Sequence, residues 1–282
     1  MELQHLDDFK KVLSKIEQTD LKSILFPYEW NEWSGLSDKA KQKKLQRICT
    51  IPLCNEDFTV AYSLYFRLKW LDAFKTCIPQ NDATVLEVGS GSSVNIPNAL
   101  TIFDKSATYI TANMNKILTA EFRQNTASLP IGIKVIEDDA NNILKHLASN
   151  SLDAVVFEHS VNDVIQAILC ENKGIDTTNS DWFAILPEMI QIINAEYINQ
   201  TLEQSVKNTF LSLLENCLSV LKPGGYIIMS HYMFQYDLDL GYDPVLWENI
   251  LPVVRPWLSS LSTGKEVAVK PFAPQWWLFY QK

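Results

Sequence analysis

The 282-residue sequence predicts an α/β fold: a mostly parallel sheet with helices on both faces, closed by a C-terminal antiparallel hairpin. Three observations predict it. Five short apolar runs, 83–88, 108–112, 133–136, 154–157 and 226–229, alternate with longer stretches of helical period. Such alternation marks parallel strands whose crossover helices cover the sheet. The first run leads straight into a small-residue turn, Gly89-Ser90-Gly91-Ser92. The last two runs, 267–270 and 276–280, are joined by a short stretch that holds Pro271, Phe272, Ala273 and Pro274. That connection is too short for a crossover and favours a hairpin.

Residues 1–80 read as a helical extension or cap ahead of a core spanning 81–282. Leu6, Phe9, Val12, Leu13 and Ile16 recur at helical spacing. Ser37 can cap a second helix running to about Cys49, and a third fits 58–77 and stops before Pro79. Within the core, helices fit 98–104, 115–126 and 141–147, the first of them starting near Pro97, a favoured opening residue. A longer helix fits 202–221, with Leu202, Val206, Phe210, Leu214, Cys217, Leu218 and Leu221 on one face. About 38 residues, 163–200, are left between the fourth and fifth strands. They read as a helical insertion, either part of a lid or a packed helical pair, placed where open α/β sheets bind ligands. On the last strand, Trp276 and Trp277 alternate, so at most one of them is expected in the core.

Composition excludes some functions. With 24 basic and 33 acidic residues the net charge is −9. A nonspecific nucleic-acid binder needs a basic footprint, so nucleic acid is disfavoured as a partner. No run of 18 apolar residues is present, and no membrane partner is expected. Asp7, Asp8, Lys10 and Lys11 interrupt the N-terminus, so it does not read as a signal peptide. Cys49, Cys54, Cys77, Cys170 and Cys217 form no CxxC pair, which suggests reduced thiols and a cytoplasmic protein. Lys39, Lys41, Lys43, Lys44 and Arg47 read as a solvated helix face. Tyr28, Trp30 and Trp33 read as core or as a substrate-facing cluster.

In Val85-Leu86-Glu87-Val88-Gly89-Ser90-Gly91-Ser92, the two glycines can take positive φ and let a ligand approach the backbone. The following helix would offer free N–H groups to that ligand. A dinucleotide fingerprint would need a third glycine where Val94 stands, and no GKS or GKT follows to make a P-loop. The wider set of motifs over about 83–282 resembles the class I S-adenosylmethionine-dependent methyltransferase superfamily. Glu87, Gly89 and Gly91 match its acidic-x-Gly-x-Gly motif. Asn113, followed by Met114, falls where the family places an acid on the ribose. Asp139-Ala140 matches the acid that reads the adenine amino group. Residues 152–156 look like the fourth-strand motif, and Leu221-Lys222-Pro223-Gly224-Gly225 is similar to the turn before the fifth strand. The resemblance implies a Rossmann-like seven-stranded sheet and S-adenosylmethionine as cofactor. It implies a cofactor site of Glu87, Gly89, Ser90, Gly91, Asn113, Met114, Asp139 and Ala140; Glu158 and His159, after the fourth strand, are expected to approach the methionine end.

Methyl transfer is a displacement that rests on alignment, with a general base needed only when the nucleophile holds its proton tightly. His159 and His231 follow the fourth and fifth strands, and both imidazoles are expected to border one crevice as candidate catalytic groups. A metal held by Glu158, His159 and His231 has no sequence geometry behind it, and none is expected. His5 and His146 sit in helical, exposed settings. Arg67 reads as meeting a ligand carboxylate or as a surface ion pair. The acidic balance and the two helical additions favour an enclosed pocket for a small-molecule substrate. The rivals are an RNA- or protein-directed methyltransferase and a non-catalytic cofactor-binding module. Against the former, 157–160 reads Phe-Glu-His-Ser rather than Asn/Asp-Pro-Pro-aromatic, and no Pro-Cys pair is present.

Overall fold

The structure, a computed structural model, describes residues 22, 25, 27–47, 60–79 and 81–282. The helix expected over 6–16, His5, Cys49 and Cys54 lie outside the described residues. Three helices precede the sheet: α1 (Pro27–Gly35), α2 (Asp38–Arg47) and α3 (Val60–Cys77). Helix α3 is buried on nearly every side, with Leu64, Leu68, Trp70, Leu71 and Phe74 at 0–1% exposure. It packs on α4 (Asn95–Phe103), so this part of the N-terminal extension is built into the core.

The strands are β1 (Thr84–Val88), β2 (Thr108–Ala112), β3 (Gly132–Ile136), β4 (Leu152–Glu158), β5 (Leu221–Ser230), β6 (Lys265–Glu266) and β7 (Trp277–Gln281). They form one Rossmann-like sheet in the order β3-β2-β1-β4-β5-β7-β6. The first five are parallel, and β7 runs antiparallel to both β5 and β6. The central strands are covered on both faces, which is why Val85, Leu86, Ala154, Val155, Val156, Ile227 and Ile228 are apolar without alternation. Strand order reverses between β1 and β4, where a ligand crevice is expected above the carboxyl ends.

At the opposite end, two buried carboxylates lock the strands. Asp104 accepts the amides of Asn81 and Ala83 through Oδ2, and that of Ser106 through Oδ1. Asp153 accepts from Thr84 N at 2.8 Å and pairs with Lys222 Nζ at 2.8 Å. It thereby ties β1, β4 and the first residues of β5 together. Packing there is tight: a Cβ on Gly225 would stand 2.9 Å from the Asp153 carbonyl.

Helix α5 (Lys116–Thr126) is capped by Asn115, whose side chain accepts from Leu118 N. The insertion forms α6 (Val161–Asn172) and α7 (Trp182–Ile198), the latter capped by Asp181. They pack on each other and on α8 (Leu202–Val220), and residues of both also wall the cavity described below. After β5 come α9 (Gln235–Leu240), α10 (Pro244–Glu248) and α11 (Ile250–Val254). Cys77, Cys170 and Cys217 are free thiols.

Four expectations need correction. The helix expected near Pro97 begins at Asn95, so the proline is its third residue; a missing N–H is still harmless there. The helix expected over 141–147 is a 3-10 turn at Ala140–Lys145, opened by Asp139 accepting from Asn141 N. The strand expected over 267–270 lies earlier, at Lys265–Glu266. Past Val267 the chain leaves the sheet and seats Phe272 on Trp277 and Phe279, with ring centroids 4.7 and 5.0 Å apart. Trp276 and Trp277 are both buried, at 2% and 3%, because Trp276 precedes β7 and escapes its alternation.

Candidate functional site

The glycine turn after β1 is held open by its neighbours. Gly89 (φ +71°) donates its amide to Ala112 O at 3.0 Å. A Cβ there would meet Ser160 Cβ at 3.2 Å, and Ser160 Oγ donates to Val88 O at 2.7 Å. Glycine is required at 89 for both conformation and close approach of the β4 exit. Gly91 (φ +55°) accepts Asn113 Nδ2 at 3.0 Å on its carbonyl, and Thr111 Oγ1 donates to Ser90 Oγ at 2.8 Å. Among the described residues, the amides of Ser90, Gly91 and Ser92 meet no protein acceptor. These are free donors above the carboxyl end of β1, suited to an anionic group.

A cavity of about 760 Å³ lies over this end of the sheet. Gly89, Ser90, Gly91, Asn113, Met114, Asp139, Ala140 and His159 all line it, so the fold brings together most of the residues singled out in the sequence. Asp139 uses Oδ1 to cap the 3-10 turn. Its neighbour Asp138, also in the lining, is bonded by His146 and Asn142, which hold its carboxyl down at about 2. Asn113 spends its amide donor on the glycine turn, leaving its carbonyl oxygen for a ligand hydroxyl.

Glu87, Glu158 and His231 do not line the cavity, which corrects their expected places. Glu87 is 1% exposed, accepts from Tyr109 OH and leaves Oε1 unpartnered. Burial and the nearby Glu158 push its carboxyl well up. Glu158 accepts from Ser93 Oγ (3.0 Å), Trp70 Nε1 (3.2 Å) and Asn95 Nδ2 (3.2 Å), while burial raises its carboxyl to about 7. It anchors the far end of the glycine loop to β4. Arg67 is neither a ligand contact nor a surface residue. At 2% exposure it pairs with Glu29 at 2.7 Å and donates to Asn95 Oδ1 at 3.2 Å. In the aromatic cluster Trp33 is core and Tyr28 is exposed.

The two histidines stack, with ring centroids 4.5 Å apart. His159 sits in the left-handed region (φ +50°), a conformation rare for a side-chain-bearing residue and concentrated at functional sites. Tyr232 N donates to its Nδ1 at 3.4 Å, so the neutral ring carries its proton on Nε2, 3.8 Å from Asp237 Oδ2. Burial pushes this imidazole down, and Asp237 partly offsets that. His231 is 1% exposed and bonds Trp247 O through Nε2 at 2.9 Å. Burial first, then His159, holds it well below the usual range. It is a structural group beneath His159 rather than a second imidazole on the crevice.

Sequence reasoning missed a polar group at the other end of the cavity: Asn162, Asp163, Asp237 and Tyr242. Asn162 Nδ2 donates to Asp163 Oδ1 at 2.7 Å. Burial, then Asp237, raises the Asp163 carboxyl to about 7. Asp237 Oδ2 accepts from Trp247 Nε1 (2.7 Å) and Phe234 N (3.1 Å). Tyr242 stacks on Trp247 at 3.6 Å and bonds Gln166. The only sequence signal was an acid in the first turn of a helix, which reads equally well as a partner for the helix dipole. Among the described residues, no lysine or arginine lines the cavity. Among the described residues, no group of three or more His, Cys, Asp or Glu is placed to hold a metal ion. No described helix is long and apolar enough to cross a membrane.

No protein-family model and no curated protein matches the chain. Solved structures of similar chain path include a candidate S-adenosyl-L-methionine-dependent methyltransferase of Methanococcus maripaludis, with a TM-score of 0.46 and 12% identity, covering 77% of this chain and 84% of that one. An Aquifex aeolicus SAM-dependent methyltransferase gives 0.45 and 13%, covering 76% and 87%. A candidate methyltransferase of Streptococcus mutans, solved in complex with SAH, gives 0.40 and 12%, covering 75% and 94%.

Proposed function

We propose that the protein is an S-adenosylmethionine-dependent methyltransferase acting on a small-molecule metabolite in the cytoplasm. One observation carries this reading: the glycine turn, Asn113 and Asp139 line a single cavity above the strand-order reversal. The residues fit the cofactor. The free amides at 90–92 suit its carboxylate, the Asn113 carbonyl its ribose and Asp139 its adenine amino group. A lining with acids and, among the described residues, no lysine or arginine suits its sulfonium charge. When bound, the cofactor supplies an electrophilic methyl carbon. The chain's own residues then bind, orient and exclude water. His159, neutral with its proton on Nε2, orients by donating. Trp182 and Leu186 of the insertion helix α7 form part of the cavity wall. The test is calorimetric titration of the full chain with S-adenosylmethionine and with S-adenosylhomocysteine. Saturable binding of both is expected, and no heat at millimolar ligand would sink the reading. Binding without turnover on any metabolite fraction would mark a non-catalytic module instead.

A further inference from the structure

We propose that the end of the cavity between α6, α9 and α10 is a subsite for a protonated primary or secondary amine carried on an apolar body. It rests on the methyltransferase reading only in taking this amine as the methyl acceptor.

The chemistry of the wall points to a donor-rich cation. Asn162 lines the cavity, is 3% exposed and has no partner for Oδ1. Its orientation follows from its neighbour: the amide nitrogen faces Asp163 Oδ1, and a flipped amide would set two acceptors together. Beside this vacant acceptor stand two carboxyls, Asp163 and Asp237, both in the lining. Asp237 receives two donors on Oδ2 alone. Among the described residues the wall therefore presents two carboxyls beside a buried amide oxygen without a partner, with the N–H of His159 and tyrosine hydroxyls as donors and no lysine or arginine. Buried acceptors left without donors are unfavourable, and an ammonium supplies two or three N–H groups and a charge. A hydroxyl supplies one donor, a quaternary ammonium none, and a carboxylate is repelled. Trp247, Tyr242 and Tyr236 add aromatic surface that favours a cation. Val164, Ile168 and Leu186 leave an apolar surface for the rest of the molecule.

The transfer balances. The ammonium loses one proton to the Asp163 carboxylate, and the freed nitrogen pair forms the bond to the methyl carbon. The carbon–sulfur bond breaks with its electron pair on sulfur. Asp163 is thereby assigned as the catalytic base that a sequence search for histidines passed over.

The experiment is calorimetry on the full chain with matched pairs: butylammonium and butanol, cyclohexylmethylammonium and cyclohexylmethanol, 2-phenylethylammonium and 2-phenylethanol. The trimethylammonium counterpart of 2-phenylethylammonium completes the series. At least one ammonium should bind tenfold or more tighter than its alcohol, and the trimethylammonium compound should lack the advantage. Asp163→Asn should remove the advantage while leaving S-adenosylhomocysteine affinity within twofold. The proposal is overturned if no ammonium reaches tenfold over its alcohol, or if the advantage survives both Asp163→Asn and Asn162→Ala. S-adenosylhomocysteine is titrated alone as well. Its failure to bind would sink the methyltransferase reading without deciding the amine comparison.

Discussion

Replacing Asp163 by Asn should stabilise the protein, and the gain should depend on pH. In an unfolded chain this carboxyl titrates near 3.8, and in the fold near 7, through burial and the charge of Asp237. The folded state therefore binds this proton more tightly than the unfolded state. The associated stability is fully present below 3.8 and is lost as pH rises towards 7. At about 1.36 kcal/mol per pH unit, the ceiling on that loss is roughly 4 kcal/mol. Asp163 keeps partial contact with solvent, and screening reduces the figure to about 1–2 kcal/mol. Asparagine is isosteric, keeps an oxygen for Asn162 Nδ2 and never ionises. For a chain of this size the melting temperature should rise by roughly 2–6 °C at pH 8. The gain should shrink steadily as the pH is lowered to 5. Differential scanning calorimetry of both proteins across that range measures it. A gain independent of pH, or a loss at pH 8, would refute the reasoning, because the charged carboxylate would then carry no burial penalty.

Three further outcomes follow from the site. Gly89→Ala should lower stability by about 1–2 kcal/mol through left-handed strain. It should also weaken S-adenosylhomocysteine binding at least tenfold, as the Ser160 contact displaces the turn; denaturant unfolding and calorimetry check the two effects. Asp139→Ala should weaken S-adenosylhomocysteine at least tenfold and cost about 1 kcal/mol from the lost cap. Asp139→Asn, which still caps, should restore stability in the same unfolding assay. His231→Ala should destabilise by about 2–4 kcal/mol, leaving a void beneath His159 and an unpaired Trp247 carbonyl. Its melting temperature should fall while cofactor affinity below that temperature holds.

Much of the frame was legible because it rests on local rules. The runs at 83–88, 108–112 and 154–157 are strands because a doubly covered sheet demands mostly apolar stretches, and each was visible as one despite Glu87 and the threonines. The glycine turn was legible from its spacing, and Asn113 and Asp139 from the strand ends they follow. Side-chain direction was not. Glu87 sits at a motif position and Glu158 at a strand end, yet neither lines the cavity: Tyr109 donates to the first, and Trp70 and Asn95 to the second, partners that no local pattern announces. His231 follows its strand as expected but is sealed in by Trp247, a residue 16 positions away. Asp163 and Asp237 meet only through the fold, since α6 and α9 lie on opposite sides of the whole α7–α8–β5 excursion. The edge strand slipped because Phe272, rather than strand propensity, decides where the last connection lies.

The carboxylates at the lower edge of the sheet have a consequence for how the protein can change. Asp104 and Asp153 fix the alignment of the strands where they begin, through main-chain amides and Lys222. The cavity, with the residues proposed to meet a ligand, lies where the strands finish. Alignment and recognition are thus assigned to opposite rims and to different residues. Parts of the segments above β1 and β4 are therefore open to recombination: a library at 90, 92 and 162–180 that keeps Gly89, Gly91, Ser93 and Ser160 would vary what the protein accepts while each strand kept its neighbour and its register.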